Sequence, residues 1–156
     1  MIYANNVVIS SCVEDGSVKF WQPSTKHLEN MIKPFSEDKH DGPTKLFSVD
    51  TPFFQQIWVA SSINGRINIY RAKSFQLLTS IKNNSLIGMS GMAVYKDQVW
   101  IAVEGKIYFL SIEKGEVLGC FQAHNTGTCP FPVYFFFYEI IDPSFLLLPR
   151  ENAFGP

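Results

Sequence analysis

Three stretches of the chain share one plan, in which an apolar run is followed by a turn that contains glycine and then by a run that alternates between apolar and polar side chains. They are residues 8–21 with Gly16, residues 57–70 with Gly65, and residues 99–110 with Gly105. Strict alternation places successive side chains on opposite faces of an extended strand. Asp-Gly or Asn-Gly between such runs favours a type I′ hairpin turn, which needs positive φ at both central residues. Each stretch therefore predicts a β-hairpin, with a weaker Glu-Gly version of the turn in the third.

The similarity between the three stretches extends beyond the hairpins. At offsets of +2, +4, +5, +12 and +16 from the turn glycine, all fifteen side chains are apolar. They are Val18, Phe20, Trp21, Leu28, Ile32, Ile67, Ile69, Tyr70, Leu77, Ile81, Ile107, Phe109, Leu110, Val117 and Phe121. The glycines are 49 and 40 residues apart, close to the length of a repeat of four short strands. The pattern predicts an all-β chain of repeated units, with leading strands at Thr44–Val49 and Gly91–Tyr95 and an extended loop at Lys33–Pro43.

The first unit resembles a WD repeat, the building block of one family of β-propellers. Residues 10–21, Ser-Ser-Cys-Val-Glu-Asp-Gly-Ser-Val-Lys-Phe-Trp, follow the family pattern S-x-S-x-D-G-x-V-x-hydrophobic-W-D, with Gln22 in place of the last Asp. Ala123-His124 is similar to the Gly-His dipeptide that opens the next blade, and residues 40–44 are similar to a displaced copy of it. The resemblance implies β-propeller blades of four antiparallel strands, arranged in an incomplete ring.

The other two units depart from the family pattern. Tyr70 and Leu110 replace the tryptophan, so we expect no unit to form the complete His–Ser–Trp–Asp hydrogen-bond set. Residues 57–60 and 99–102 resemble strands of propellers in large GTPase-regulating proteins such as DENN-type exchange factors. The chain is thus expected to be an atypical propeller.

The repeat also predicts where structure begins and ends. We expect no strand before Val7, so that the chain would begin inside a blade, complete two more and begin another at His124. Residues 1–128 are then a partial propeller of about three blades. Residues 129–156, which are apolar and Pro-rich without alternation, are expected to be disordered or a foreign end. Three blades cannot close a ring, and we expect two long unpaired strand edges.

Charge and hydropathy exclude several classes of partner. The chain has 13 basic and 14 acidic residues and a net charge of −1, without a basic patch for nucleic acid or a charge block for a membrane surface. Its apolar run at 133–141 is too short for a transmembrane segment, which needs about 20 residues. Three scattered cysteines and no signal peptide favour a reducing, cytoplasmic location.

No residue pattern indicates catalysis, a cofactor or a metal. The histidines His27, His40 and His124 are far apart and without metal-ligand spacing. Cys120 has apolar neighbours on a predicted strand, which favours a buried, inert thiol over a nucleophile. The repeated positions of Trp58 and Trp100 favour packing over a ligand cage. We therefore expect a protein that is not an enzyme and binds no cofactor.

The resemblance implies a non-catalytic scaffold that binds other proteins, as part of a larger multidomain protein. In WD-repeat proteins the face with the hairpin turns and the loops between blades commonly docks partners. Carried over to this chain, that face gives these candidate partner-binding residues: Glu14, Asp15, Asn64, Arg66, Glu104 and Lys106. Two alternatives remain open, namely a truncated fragment without function and the propeller of a GTPase-regulating protein of the DENN type.

Overall fold

The computed structural model describes residues 1–35 and 41–124, and these residues form twelve β-strands and one short 3-10 turn. The first sheet contains β1 (Ile2–Ala4), β2 (Val7–Cys12), β3 (Ser17–Trp21) and β4 (Leu28–Ile32). The second contains β5 (Lys45–Asp50), β6 (Gln55–Ser61), β7 (Arg66–Arg71) and β8 (Leu77–Lys82). After the 3-10 turn at Asn84–Leu86, the third contains β9 (Met89–Tyr95), β10 (Gln98–Val103), β11 (Lys106–Ser111) and β12 (Val117–Gln122).

Each sheet is an antiparallel meander in which consecutive strands pair, the arrangement expected of a propeller blade. The predicted all-β class is confirmed, and the three sheets do not close on themselves. Both predicted leading strands are present, shifted by one or two residues, as β5 and β9. Residues 129–156, the predicted tail, lie outside the described residues, so that prediction stays a prediction.

The prediction that no strand precedes Val7 was wrong, because β1 pairs with β2 and completes the first sheet. The two strands are joined by Asn5 and Asn6, whose φ angles are 47° and 61°. Asparagine tolerates positive φ better than most residues, so the pair forms the two-residue turn that this hairpin requires. A strand of three residues is too short to show alternation, which is why the pattern missed it.

The turn type was also predicted incorrectly for two of the three hairpins. Between β2 and β3 and between β6 and β7 the loop has four residues, and of its last two residues only the glycine has positive φ (Gly16, 67°; Gly65, 60°). The two-residue turn occurs instead in the third hairpin, where Glu104 and Gly105 have φ of 44° and 82°. The third hairpin is two residues shorter, which leaves room only for the tight turn.

A second turn is repeated in all three sheets, between the third and fourth strands. Lys26, Phe75 and Gly115 occupy the same place in it, with φ of 59°, 56° and 69°. Each donates its backbone N–H to the carbonyl four residues earlier, for example Lys26 to Gln22 at 2.8 Å. A register shift precedes this turn in every sheet. The repeat therefore extends to backbone geometry at positions where the side chains differ.

The second sheet lies between the other two and is covered on both faces. Ile57 and Val59 of β6 pack into a core shared with the first sheet, which includes Phe20. Trp58 and Ala60, which point the other way, pack into a core shared with the third sheet. Because successive side chains alternate between two buried faces, β6 is apolar at consecutive positions rather than at every second one.

The sheets contact one another chiefly through their leading strands, β1 with β5 and β5 with β9. The connections after β4 and β8 each add a buried apolar side chain between two sheets. Phe35 packs between the first and second sheets, and Leu86 packs between the second and third. The surfaces left uncovered in this row of sheets are the outer faces of the first and third sheets. We expected two long unpaired strand edges at the ends of the row. Because the sheets stack face to face, the row instead ends in two uncovered sheet faces.

Candidate functional site

The hairpin turns of the three sheets lie at one end of the molecule, together with the connections between sheets. We call this the hairpin end: residues 13–16, 41–44, 62–65, 83–88 and 104–105. Gly42, in the first connection, lies against Val13 in the first hairpin turn. In the second connection, Gly88 donates its N–H to the Ser62 carbonyl at 2.7 Å and lies near Glu104 of the third turn. Turns and connections thus follow one another across a continuous surface.

Asp15 is fixed within its own turn. Its carboxylate accepts hydrogen bonds from the Ser17 hydroxyl and from the Ser17 N–H at 2.8 Å, and it forms an ion pair with Lys19 at 3.0 Å. These hydrogen bonds, with the Lys19 ammonium, hold the pKa of the carboxyl far below its usual value. Asp15 is therefore an ionised, positioned acceptor at the surface, and its role in the turn is confirmed.

Arg66 is half-buried and faces a buried carboxylate. Its Nε lies 3.9 Å from Asp41, whose side chain is fully buried. Within the described residues, neither oxygen of Asp41 has a hydrogen-bond partner, so the Arg66 guanidinium is the nearby charge that offsets its burial. Arg66 consequently stabilises the connection, and a change there would test folding as well as binding.

The remaining candidates differ in exposure. Glu14, Glu104 and Lys106 are exposed, whereas Asn64 is half-buried and takes part in an interaction within the protein. Four of the six candidates thus lie within the hairpin end, and the other two, Arg66 and Lys106, directly follow its turns as the first residues of β7 and β11. Lys106 is the exposed cation among the six.

Trp58 and Trp100 lie on equivalent faces of their sheets, whereas Trp21 lies on the opposite face of the first sheet. Trp21 donates its indole N–H to the Ser10 hydroxyl at 2.9 Å, which supplies the Ser–Trp part of the expected hydrogen-bond set. Trp58 is fully buried and donates to Gln56 at 2.8 Å. Trp100 donates to Gln98 at 3.1 Å and is half-buried. The packing role predicted for Trp58 and Trp100 is supported in both sheets.

Trp100 belongs to an aromatic face on the outer side of the third sheet. Its ring centroid lies 5.7 Å from Tyr95, 6.2 Å from Phe109 and 5.8 Å from Phe121. Phe109 and Phe121 repeat the positions of Ile69 and Ile81 in the second sheet. There the third sheet covers the corresponding face, whereas Phe121 is 42% exposed.

The expectation that Cys120 is buried was wrong. Cys120 is exposed because it lies on β12, the fourth and outermost strand of its sheet. Its apolar neighbours Leu118 and Phe121 are also exposed, at 52% and 42%. Apolar neighbours in sequence do not indicate burial on a strand that has only one neighbouring strand.

A groove at the other end of the molecule was missed by the sequence analysis. It lies between the second and third sheets, opposite the hairpin end, with a volume of about 540 Å³. Its lining residues are Asp50, Thr51, Pro52, Phe53, Phe54, Gln56, Lys96, Asp97, Ser111, Ile112 and Glu113. The run Pro52-Phe53-Phe54 in a loop between two strands is a sequence feature that could have indicated it.

The described part of the chain contains no cluster of three or more His, Cys, Asp or Glu side chains able to hold a metal ion. Of the histidines, His27 lies in a turn and His124 follows β12, while His40 is outside the described residues. Over the same residues, no helix has the length and apolar character needed to span a membrane.

These features define a class of fold, a row of propeller-type sheets, and comparison with known proteins agrees with it. Three solved structures are similar: the computationally designed Ika8 protein (20% identity, TM-score 0.61), Sqt1 of Saccharomyces cerevisiae (13%, 0.62) and U3-55K (13%, 0.61). Sqt1 and U3-55K are WD40-type propeller proteins. At these identities the likeness concerns the fold alone.

The chain spans only about a third of those structures. The matches cover 80%, 78% and 78% of this chain, but 36%, 32% and 37% of the three solved chains. No protein-family model matches the sequence, and no curated protein matches it either. The propeller-type architecture is therefore established from structure, without a family assignment.

Proposed function

We propose that this chain is a WD-repeat-like propeller module that binds another protein at its hairpin end and catalyses no reaction. The observation that supports this most strongly is the continuous surface formed there by three hairpin turns and two connections. Loops on a rigid scaffold of strands are where binding residues tend to lie. The proposed contact residues are the six candidates from the sequence, Glu14, Asp15, Asn64, Arg66, Glu104 and Lys106. Arg66 also lies beside the buried Asp41 carboxylate within the protein.

The WD-repeat assignment rests on the first sheet. Its Asp-Gly turn, the contacts of Asp15 with Ser17 and the Trp21–Ser10 hydrogen bond follow that family's plan. We further propose a cytoplasmic location, because Cys12 and Cys120 are free thiols. Membership in a larger multidomain protein is proposed because the matched segment covers only about a third of each of the solved chains.

The test uses a charge reversal at the hairpin end and a matched one elsewhere. Lys106→Glu changes an exposed lysine on the proposed surface, and Lys26→Glu makes the same change in the turn before β4, at the opposite end. Proteins captured from extract by the wild-type chain would be purified, and their affinity for each form measured by calorimetry. We expect Lys106→Glu to weaken binding about tenfold and Lys26→Glu to leave it nearly unchanged.

Two results would count against the proposal. One is that no captured protein binds when only purified components are present. The other is equal affinity of the wild type and both variants, which would remove the hairpin end from the interface. The two alternatives, a fragment without function and a GTPase-regulating propeller, have no specific observation in their favour and stay predictions.

A further inference from the structure

The groove between the second and third sheets has an acidic rim. Three exposed carboxylates line it, those of Asp50, Asp97 and Glu113. The one basic residue in its lining is Lys96. The Lys96 ammonium lies over the Tyr95 ring, 5.2 Å from its centroid. Among residues 1–35 and 41–124, no basic side chain forms an ion pair with any of the three carboxylates. The rim therefore favours a cation supplied from outside.

Part of the groove lining is apolar and includes an exposed aromatic ring. Phe53 is 90% exposed, the highest exposure of any large hydrophobic side chain described. Its neighbour Phe54 is half-buried and held beneath Arg71, whose guanidinium carbon lies 4.6 Å from the ring centroid. Ile112 forms the facing wall on the third sheet. An apolar side chain entering here would cover Phe53, which in the free protein faces water.

A buried amide provides the third element of the groove. Gln56 is 5% exposed and lines the groove, and its amide oxygen accepts the Trp58 indole N–H at 2.8 Å. That hydrogen bond orients the amide and leaves its NH₂ group as a donor. No hydrogen-bond acceptor for this NH₂ group is found in the described part of the chain. A backbone carbonyl of a bound peptide would satisfy it.

We infer that this groove binds an extended peptide segment of a partner protein in which a lysine or arginine lies beside a large apolar side chain. The cation pairs with Asp97 and Glu113, the apolar side chain packs on Phe53 and Ile112, and a peptide carbonyl accepts from Gln56. This binding surface is separate from the hairpin end, and the inference does not depend on the function proposed there.

The test measures binding of three labelled peptides to the full chain by fluorescence anisotropy. Each has about eight residues, long enough to cross the groove when extended, and alternates Leu with Arg, Gln or Glu. We expect the Arg–Leu peptide to bind about tenfold more tightly than the Glu–Leu peptide, with the Gln–Leu peptide between them. Equal affinity of the Arg–Leu and Glu–Leu peptides would overturn the inference.

Variants then locate the site on the molecule. Glu113→Gln removes a rim carboxylate, and Glu29→Gln makes the identical change at an exposed position on β4, away from the groove. We expect Glu113→Gln to weaken Arg–Leu binding about threefold to fivefold and Glu29→Gln to change it less than about twofold. Similar effects from both would show a general charge attraction and overturn the inference.

Phe53→Ser tests the apolar part independently of charge. Because Phe53 is almost fully exposed, its replacement should leave the thermal melt of the protein unchanged. We expect it to lower the affinity for all three peptides by a similar factor. Unchanged affinity for every peptide would remove Phe53 from the site and contradict the inference. Changes in backbone amide chemical shifts during titration with the Arg–Leu peptide identify the residues that contact it.

Discussion

At the scale of single residues, two turn glycines with the same backbone conformation have different surroundings. Gly16 and Gly65 both have positive φ, 67° and 60°, so any side chain at either position is strained. A methyl group on Gly65 would overlap the carbonyl oxygen of Asn83, which belongs to the connection between the second and third sheets. At Gly16 it would meet no described atom within 4 Å.

This difference predicts unequal costs for the same substitution. Gly16→Ala should lower the free energy of unfolding by about 1 kcal/mol, the cost of positive φ alone. Gly65→Ala should lower it by about 3 kcal/mol, because the Asn83 backbone must also move. Urea denaturation of the two variants measures both values. Equal costs would mean that the connection does not pack on the second hairpin as described.

Residue identity predicted the charged turn chemistry well and burial less well. The Asp-Gly pattern predicted a turn at Asp15, and the structure shows the hydrogen bonds that stabilise it. Burial of Cys120 was predicted incorrectly, and the buried Asp41 was not predicted at all. Both depend on which strand or connection is outermost, and that is set by contacts between segments distant in sequence.

At the scale of the elements, equivalent strands are buried to different extents by the neighbouring sheets. Trp58 in β6 and Trp100 in β10 occupy matching positions, and each donates to a glutamine two residues earlier. Trp58 lies between the second and third sheets and is fully buried, whereas Trp100 lies on an open face and is half-buried. The same local sequence pattern therefore places one tryptophan in a core and the other on a partly exposed surface.

Replacing each tryptophan by phenylalanine should reveal this difference. Trp58→Phe removes buried volume and leaves the Gln56 oxygen without its donor, so we expect a loss of about 2–3 kcal/mol in unfolding free energy. Trp100→Phe should cost less than about 1 kcal/mol because the site can relax into solvent. Chemical denaturation followed by circular dichroism measures both. A larger loss for Trp100 would contradict the stacking order of the sheets.

Strand existence was largely predictable at this scale, and turn lengths were not. Alternation and turn glycines identified three hairpins, and the repeat offsets located the fourth strands. The strand Ile2–Ala4 was missed because it has only three residues. The four-residue loops at Gly16 and Gly65 were mistaken for two-residue turns, since Asp-Gly and Asn-Gly occur in both.

At the scale of the whole molecule, residues 1–35 and 41–124 form a row of three sheets with the second enclosed between the others. Two separate cores hold the row together, one on each face of the second sheet. The hairpin end and the groove lie at opposite ends of these sheets, so each can be tested while the other remains intact. The groove was not predictable from sequence, because its two walls belong to sheets whose lining segments are 40 or more residues apart.

Hydrogen–deuterium exchange of the full chain, followed by mass spectrometry, measures whether the second sheet is enclosed between the other two. We expect the slowest exchange in residues 55–71, which contain β6 and β7 between two cores. Among the strands, we expect the fastest exchange in residues 28–32, 77–82 and 117–122, the outer strands of the three sheets. Exchange in residues 55–71 as fast as in the outer strands would show that the second sheet is not enclosed.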